Sequence, residues 1–200
     1  MATIISMDNG TTGSFCILDN KGKLLTFEHI PTLKEKSWRK EEPPKKKTTK
    51  SKTKKKSPVN HYTVIDIDKL QRTLAVYSAT HSDLVAYIER PAVSFMSKFG
   101  MHTALSAFGA YICVAYVMRK LQIPYHWVDS KEWQEYTIPE AMAKYKEQKK
   151  NKVKTTLRNK DLKVASNNLA KQLFPEVVLK EDGDGDCLCM GYYFHQKLNS

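Results

Sequence analysis

The order of apolar segments predicts an α/β domain, a mixed sheet flanked by helices on both faces. Three observations carry this expectation. The first thirty residues hold three short apolar runs separated by tight turns, the pattern of an antiparallel meander. Residues 84 to 89, Leu-Val-Ala-Tyr-Ile-Glu, are apolar without alternation, as in a parallel strand buried on both faces. From residue 66 onward, helical periods and strand-like runs alternate.

Taken in order, residues 3 to 8 and 14 to 19 read as two strands joined by a turn at Asn9-Gly10, and 22 to 30 as a third. Residues 61 to 67 are a short extended segment. A helix follows, N-capped by Asp66 or Asp68, with Leu70, Leu74 and Tyr77 on one face. After the strand at 84 to 89 comes the longest helix, 102 to 121, apolar nearly all round, so burial on more than one face is expected. Such a helix suits either the centre of the core or a subunit interface. Residues 124 to 128 make a further strand, and 130 to 152 are mixed and end in a charged stretch. Asp161 to Leu173 is an amphipathic helix stopped by Phe174-Pro175, and 187 to 196 is the final helix.

Two hundred residues suit a single domain, 1–200, with a full hydrophobic core. No run of about 18 apolar residues is present, so no membrane span is expected. The N-terminus reads as a strand rather than a signal peptide. Cys16, Cys113, Cys187 and Cys189 lack CxxC spacing and read as reduced thiols of a cytoplasmic protein. The net charge of +12 is concentrated: residues 34 to 56 carry twelve Lys/Arg against three Glu, a net of +9, which leaves +3 elsewhere. This defines a basic low-complexity insertion at about 34–58. Its lysines Lys45, Lys46, Lys47, Lys50, Lys52, Lys54, Lys55 and Lys56 stand in a run without an apolar residue. Such a run cannot bury surface. It reads as a tether for nucleic-acid phosphates, a solubilising insertion, or a nuclear-localisation signal.

The carboxylates carry the chemistry. Asp8 ends the first strand beside a Gly-rich turn, and Glu89 ends another apolar run. Asp182, Asp184 and Asp186 precede the last helix. An acid at the mouth of a strand does little for a core but suits a hard divalent cation. Two such ions about 3.5–4 Å apart stabilise both oxygens of a phosphoryl displacement. Asp8, Glu89 and Asp186, with Asp182 or Asp184 as a fourth, are the candidate ligands. The bland alternatives are a solvated turn at Asp8 and helix capping by the Asp cluster. An EF-hand is excluded, because Cys187 and Tyr193 stand where that loop needs Gly and Glu.

This set resembles the RuvC-type Holliday-junction resolvases of the ribonuclease H-like superfamily, especially their bacteriophage members. The resemblance runs through the Asp with its Gly turn, Ile88-Glu89-Arg90-Pro91 and Phe108-Gly109. It continues through Ile123-Pro124-Tyr125-His126-Trp127-Val128-Asp129 as far as Trp133, then Lys163-Val164-Ala165-Ser166 and Leu173-Phe174-Pro175. It spans nearly the whole chain except the basic insertion. It implies a ribonuclease H-like fold and a Mg²⁺-dependent endonuclease, with Mn²⁺ able to substitute and two ions per site. The partner it implies is branched DNA such as a four-way junction, cut by a homodimer. The metal ligands it implies are Asp8, Glu89, Asp182 and Asp186, with Arg90 and Lys163 joining the insertion lysines on the phosphates. The acid that this family usually has three residues before the last Asp is here Gly183, and the phage pattern, with the acid four before, points to Asp182. Cys187 replaces the usual Ala.

Competing readings are a ribonuclease H-like nuclease acting on other DNA or RNA–DNA structures, and a non-catalytic DNA-binding protein. An actin-like or sugar-kinase ATP-binding domain is a third, suggested by Asp8-Asn9-Gly10-Thr11-Thr12-Gly13.

Overall fold

The computed structural model of the chain describes residues 2–36, 61–91, 101–180 and 183–199. Strands β1 (Thr3–Met7), β2 (Ser14–Leu18) and β3 (Leu24–His29) form the expected antiparallel meander. Strands β4 (Thr32–Lys36) and β5 (His61–Ile65) pair antiparallel as a separate two-stranded ribbon. The basic insertion therefore begins one strand later than its composition suggests, because Lys34, Glu35 and Lys36 are paired with β5. The lysines from Lys45 to Lys56 lie outside the described residues.

Helix α1 (Ile67–Thr80) starts at Asp66, whose carboxylate accepts from the Lys69 amide at 2.9 Å. Strand β6 (Leu84–Glu89) then runs parallel to β1, and β7 (Tyr125–Val128) runs parallel to β6. The main sheet has the order β3-β2-β1-β6-β7. Between β6 and β7 lies α2 (Met101–Lys120). After β7 come α3 (Ser130–Thr137), α4 (Pro139–Lys150), α5 (Thr155–Leu173) and α6 (Asp184–Asn199).

Strand alternation sends successive side chains to opposite faces, and each face has its own core. Ile5, Met7, Ile17, Ala86 and Ile88 meet Leu70 and Leu74 of α1 and Val114, Val117 and Met118 of α2. On the other face Ile4, Cys16, Leu18 and Tyr87 meet α6 through Leu188, Met190 and Phe194, with Trp133 of α3 and Ala170 of α5. The sheet is thus covered by helices on both faces. Among the described residues no helix is long and apolar enough to cross a membrane.

Three expectations are corrected. Helix α2 is not the centre of the core: among its described side chains Ala110, Val114, Val117 and Met118 are inside, while Phe108, Ile112 and Tyr116 are 40%, 62% and 51% exposed in the single chain, which leaves the interface alternative. The mixed stretch after residue 130 resolves into α3 and α4, split at Ile138, which caps both, and Pro139. Helix α5 begins six residues before Asp161. That acid is not a cap: it pairs with Lys144 of α4 at 2.9 Å and accepts from Gln148 at 3.0 Å.

Candidate active site

The acids reach one place through the alternation of two neighbouring strands. The parallel register pairs Met7 with Ile88, so Asp8 and Glu89 stand side by side at the carboxyl ends of β1 and β6. Ile4, Ser6 and Asp8 share the face that carries α6. So do Tyr87 and Glu89, and the Tyr87 ring stacks on Phe194 of α6 with centroids 3.7 Å apart. The third acid, Asp186, lies in the first turn of α6, above the same strand ends. In open α/β sheets the crevice beyond the carboxyl ends of the strands is where ligands bind.

Local backbone chemistry fixes each acid. The Asp8 amide donates to the Ser14 carbonyl at 2.9 Å, and the Gly13 amide donates to Gly10 at 3.1 Å. A Cβ on Gly13 would lie 2.0 Å from the Asp8 carbonyl oxygen, so only glycine closes this turn. Beyond Glu89, the Arg90 amide donates to the Val128 carbonyl at 2.8 Å, tying the end of β6 to β7. The Asp186 amide donates to the Gly183 carbonyl at 3.0 Å.

The three carboxyls are half-buried, and each is held above its ordinary range. Burial raises Asp8 to about 6, against the pull of Lys163 and with a push from Asp184. Asp186 rises to about 7 through burial and the Asp8 charge, while the Ser166 hydroxyl and Lys163 pull it back. Glu89 is raised well above its usual value by burial, then by Asp8 and Asp186. The Trp133 indole N–H opposes that rise, although it stands outside hydrogen-bond geometry and its ring is fully buried. Carboxylates crowded in this way favour protons or a cation.

The donor set fits a hard divalent ion. All donors are carboxylate oxygens, and the buried Asp186 Oδ1 has no hydrogen-bond partner. Among the described residues, no three His, Cys, Asp or Glu side chains are gathered as the ligand set of an ion. Asp182, the expected fourth acid, lies outside the described residues.

The other candidates divide. Asp184 is 2% exposed, and both its oxygens are engaged within the protein. Its Oδ2 accepts from the Lys180 amide at 2.7 Å, and Oδ1 is 3.5 Å from His29 Nδ1. It therefore anchors the entry to α6 on β3. Lys163, expected on phosphates, also acts electrostatically on Asp8 and Asp186. Arg90 is exposed beside Glu89. Sequence reasoning gave no separate role to Trp133 or Ser166. Trp133 stands four residues after Asp129, the cap of α3 whose carboxylate accepts from Lys131 at 2.9 Å, a spacing that turns the ring inward. Ser166 closes the Lys163-Val164-Ala165-Ser166 stretch of the resemblance, which gives it no role of its own.

No family model and no curated protein sequence matches the chain. Among solved structures it is similar to RuvC of T. thermophilus in complex with Holliday junction substrate. That likeness has a TM-score of 0.55 and 8% identity, and covers 99% of this chain and 96% of that one. A Thermus thermophilus RuvC structure aligns with a TM-score of 0.47 and 7% identity over 98% of this chain and 96% of that one. At 8% identity the first likeness is one of fold, and it agrees with the strand order and the two helical layers. The chain has a RuvC-like, ribonuclease H-like α/β fold.

Proposed function

We propose that this protein is a metal-dependent endonuclease that cuts phosphodiesters of branched DNA, with four-way junctions as its substrate. One observation carries the reading: Asp8, Glu89 and Asp186 come from three separate elements to one half-buried crevice beyond the strand ends, where burial holds all three above the ordinary carboxylate range and the Asp8 charge further raises both Glu89 and Asp186. A solvated turn or a simple helix cap does not require acids from separate elements to line one crevice. The RuvC-like fold supports the choice of nucleic-acid chemistry, and the solved complex of RuvC with a junction supports the choice of substrate.

In this reading Asp8, Glu89 and Asp186 hold Mg²⁺, or Mn²⁺ in its place, with Asp182 as the fourth ligand. Two bound ions would supply water activation and charge neutralisation at the phosphate. The chain's own residues prepare the place. Lys163 offsets part of the negative charge on Asp8 and Asp186. The buried Trp133 turns its indole N–H toward Glu89 and favours the charged carboxylate. Asp184, already satisfied, positions the first turn of α6 and is not a ligand. Arg90 and the insertion lysines bind phosphates.

The test is incubation with synthetic four-way junctions, plain duplexes and RNA–DNA hybrids, with and without Mg²⁺ or Mn²⁺. Paired cuts in the junction that require the cation, and that disappear in Asp8→Asn, are expected. Cleavage at the wild-type rate by Asp8→Asn would remove Asp8 from the metal site. Preferential cutting of the hybrid would move the protein to another ribonuclease H-like activity.

A further inference from the structure

The turn between α4 and α5 carries a second concentration of positive charge. Residues 144 to 163 hold nine Lys/Arg against two acids, a net of +7 in a stretch of twenty. Lys144 pairs with Asp161, and Lys146 pairs with Glu135 at 2.9 Å. Lys149 and Lys150 have a local reason to be there, since they close α4, where the helix dipole favours cations.

Two of the remaining charges, Lys152 and Lys154, stand where they do not steady the helix ends. Lys152 has a φ of 55°, in the left-handed region where a helix C-terminus ordinarily takes glycine. Lys154 occupies the N-cap of α5 with no side-chain hydrogen bond, and the first turn contains no acid. Stability alone would place Ser, Asp or Asn at that cap and acids after it. At two successive positions, the turn and the cap, the chain has a lysine in place of a residue that steadies a helix end, and the first helical turn has no acid to offset them. Arg158 extends the cluster, donating to Thr155 at 2.9 Å and lying over the Tyr145 ring.

The cluster is continuous with the candidate site. On α5, Thr156, Asn159, Lys160 and Lys163 fall at helical spacing on one face, and all four are exposed. Lys163, at the end of that row, acts on Asp8 and Asp186. From Thr155 to Lys163 the helix rises about 12 Å, the axial length of three to four base pairs.

We infer that the α4–α5 turn and the exposed row on α5 form a track for the phosphate backbone of one DNA arm, leading from Lys152 and Lys154 to the acids at Lys163. The inference rests on the nuclease reading and assigns it a binding surface. Charge complementarity commits the surface to nucleic-acid phosphates. Lysine contacts to phosphates along this helix face position the duplex and carry no sequence information.

The test measures binding of a labelled four-way junction and of a plain duplex in EDTA, where nothing is cut, across a salt series. The triple variant Lys152→Ala/Lys154→Ala/Lys160→Ala is compared with wild type and with Lys21→Ala/Lys23→Ala/Lys120→Ala, a control of equal charge. Each lost phosphate contact lowers the slope of log affinity against log salt by about 0.9. The track predicts a loss of two to three in slope and at least tenfold in affinity for both DNAs, with little change in the control. The melting temperatures of both variants should match wild type. A track variant that melts like wild type and keeps the wild-type slope overturns the inference and leaves the nuclease reading standing. A wild-type protein with no salt-dependent DNA binding overturns both. Loss of binding to anionic phosphatidylserine vesicles, with DNA binding intact, assigns the surface to lipid and likewise overturns the inference.

Discussion

Asp8 at about 6 and Asp186 at about 7 make the crevice a proton-binding site when no cation is present. Both values lie above the ordinary carboxylate value of 3.8, so the folded chain binds more protons than the unfolded one. The stability these groups contribute is therefore present at pH below about 4 and is lost as pH rises through 6 and 7. Two outcomes follow. In EDTA at pH 8, Asp8→Asn and Asp186→Asn should each be more stable than wild type by on the order of 1 kcal/mol, since one pKa unit is worth about 1.4 kcal/mol and the half-exposed site retains part of its solvation. Thermal unfolding checks this, and a variant less stable than wild type at pH 8 removes the electrostatic strain from the account. Conversely, Mn²⁺ affinity should rise between pH 5 and pH 8, as protons leave the same oxygens, and then level off. Flat affinity across that range, measured by calorimetry, would separate these acids from metal binding. Asp8, Glu89 and Asp186 were legible in sequence because each ends or enters an apolar run. The role of Asp184 was not, because its partners, the Lys180 amide and His29, declare themselves only when β3 and α6 meet.

Whole elements matter through how closely they approach. Helices α5 and α6 touch where Gly185 faces Ser166 and Asn167, and a Cβ at position 185 would lie 2.7 Å from Asn167 Oδ1, Ser166 C and Ser166 O. The Gly185 amide also donates to Asn167 Oδ1 at 2.8 Å. Gly185→Ala should therefore push the first turn of α6 away from α5, costing about 1–3 kcal/mol by overpacking. Because Asp186 is the next residue, cleavage should fall by more than junction affinity does. Equal losses in both would make Gly185 a folding residue alone. Strand β6 was readable from its unbroken apolar run, and α1 from Asp66 and its periodicity. Helix α5 begins before Asp161 without a readable signal, because its cap, Lys154, makes no side-chain hydrogen bond and has the opposite charge from what a helix start prefers. The basicity of the α4–α5 turn escaped notice because acids elsewhere offset it in the net charge. The exposed side of α2 was hidden by its composition: a helix apolar all round gives no period from which to tell core from surface.

At the scale of the molecule, that exposed side of α2 is the feature a solitary protein explains least well. Phe108, Ile112 and Tyr116 lie four residues apart along one stripe, 40%, 62% and 51% exposed, and Phe108 meets the Tyr111 ring edge-on with centroids 6.3 Å apart. A Cβ on Gly109 would meet nothing within 4 Å, so the helix is open there to close approach by another surface. The opposite side of α2 is already spent on Val114, Val117 and Met118 against the sheet. Two-fold self-association through this stripe would bury aromatic rings that water now covers. It would also provide two acid crevices related by symmetry, as paired cuts in a pseudo-two-fold junction require. We therefore predict a homodimer through α2 for the 23.0 kDa chain. Ile112→Glu places a charge in the middle of the stripe and leaves the core side untouched, so it should give a folded monomer with wild-type secondary structure. Junction resolution by paired cuts should fall at least tenfold, because two monomers must then meet on one DNA, while isolated nicks persist. Light scattering at micromolar protein reads the first effect, and a cruciform plasmid assay separates nicks from paired cuts. A wild-type monomer that makes paired cuts within a single binding event would sink the dimer and leave the stripe of α2 to some other partner.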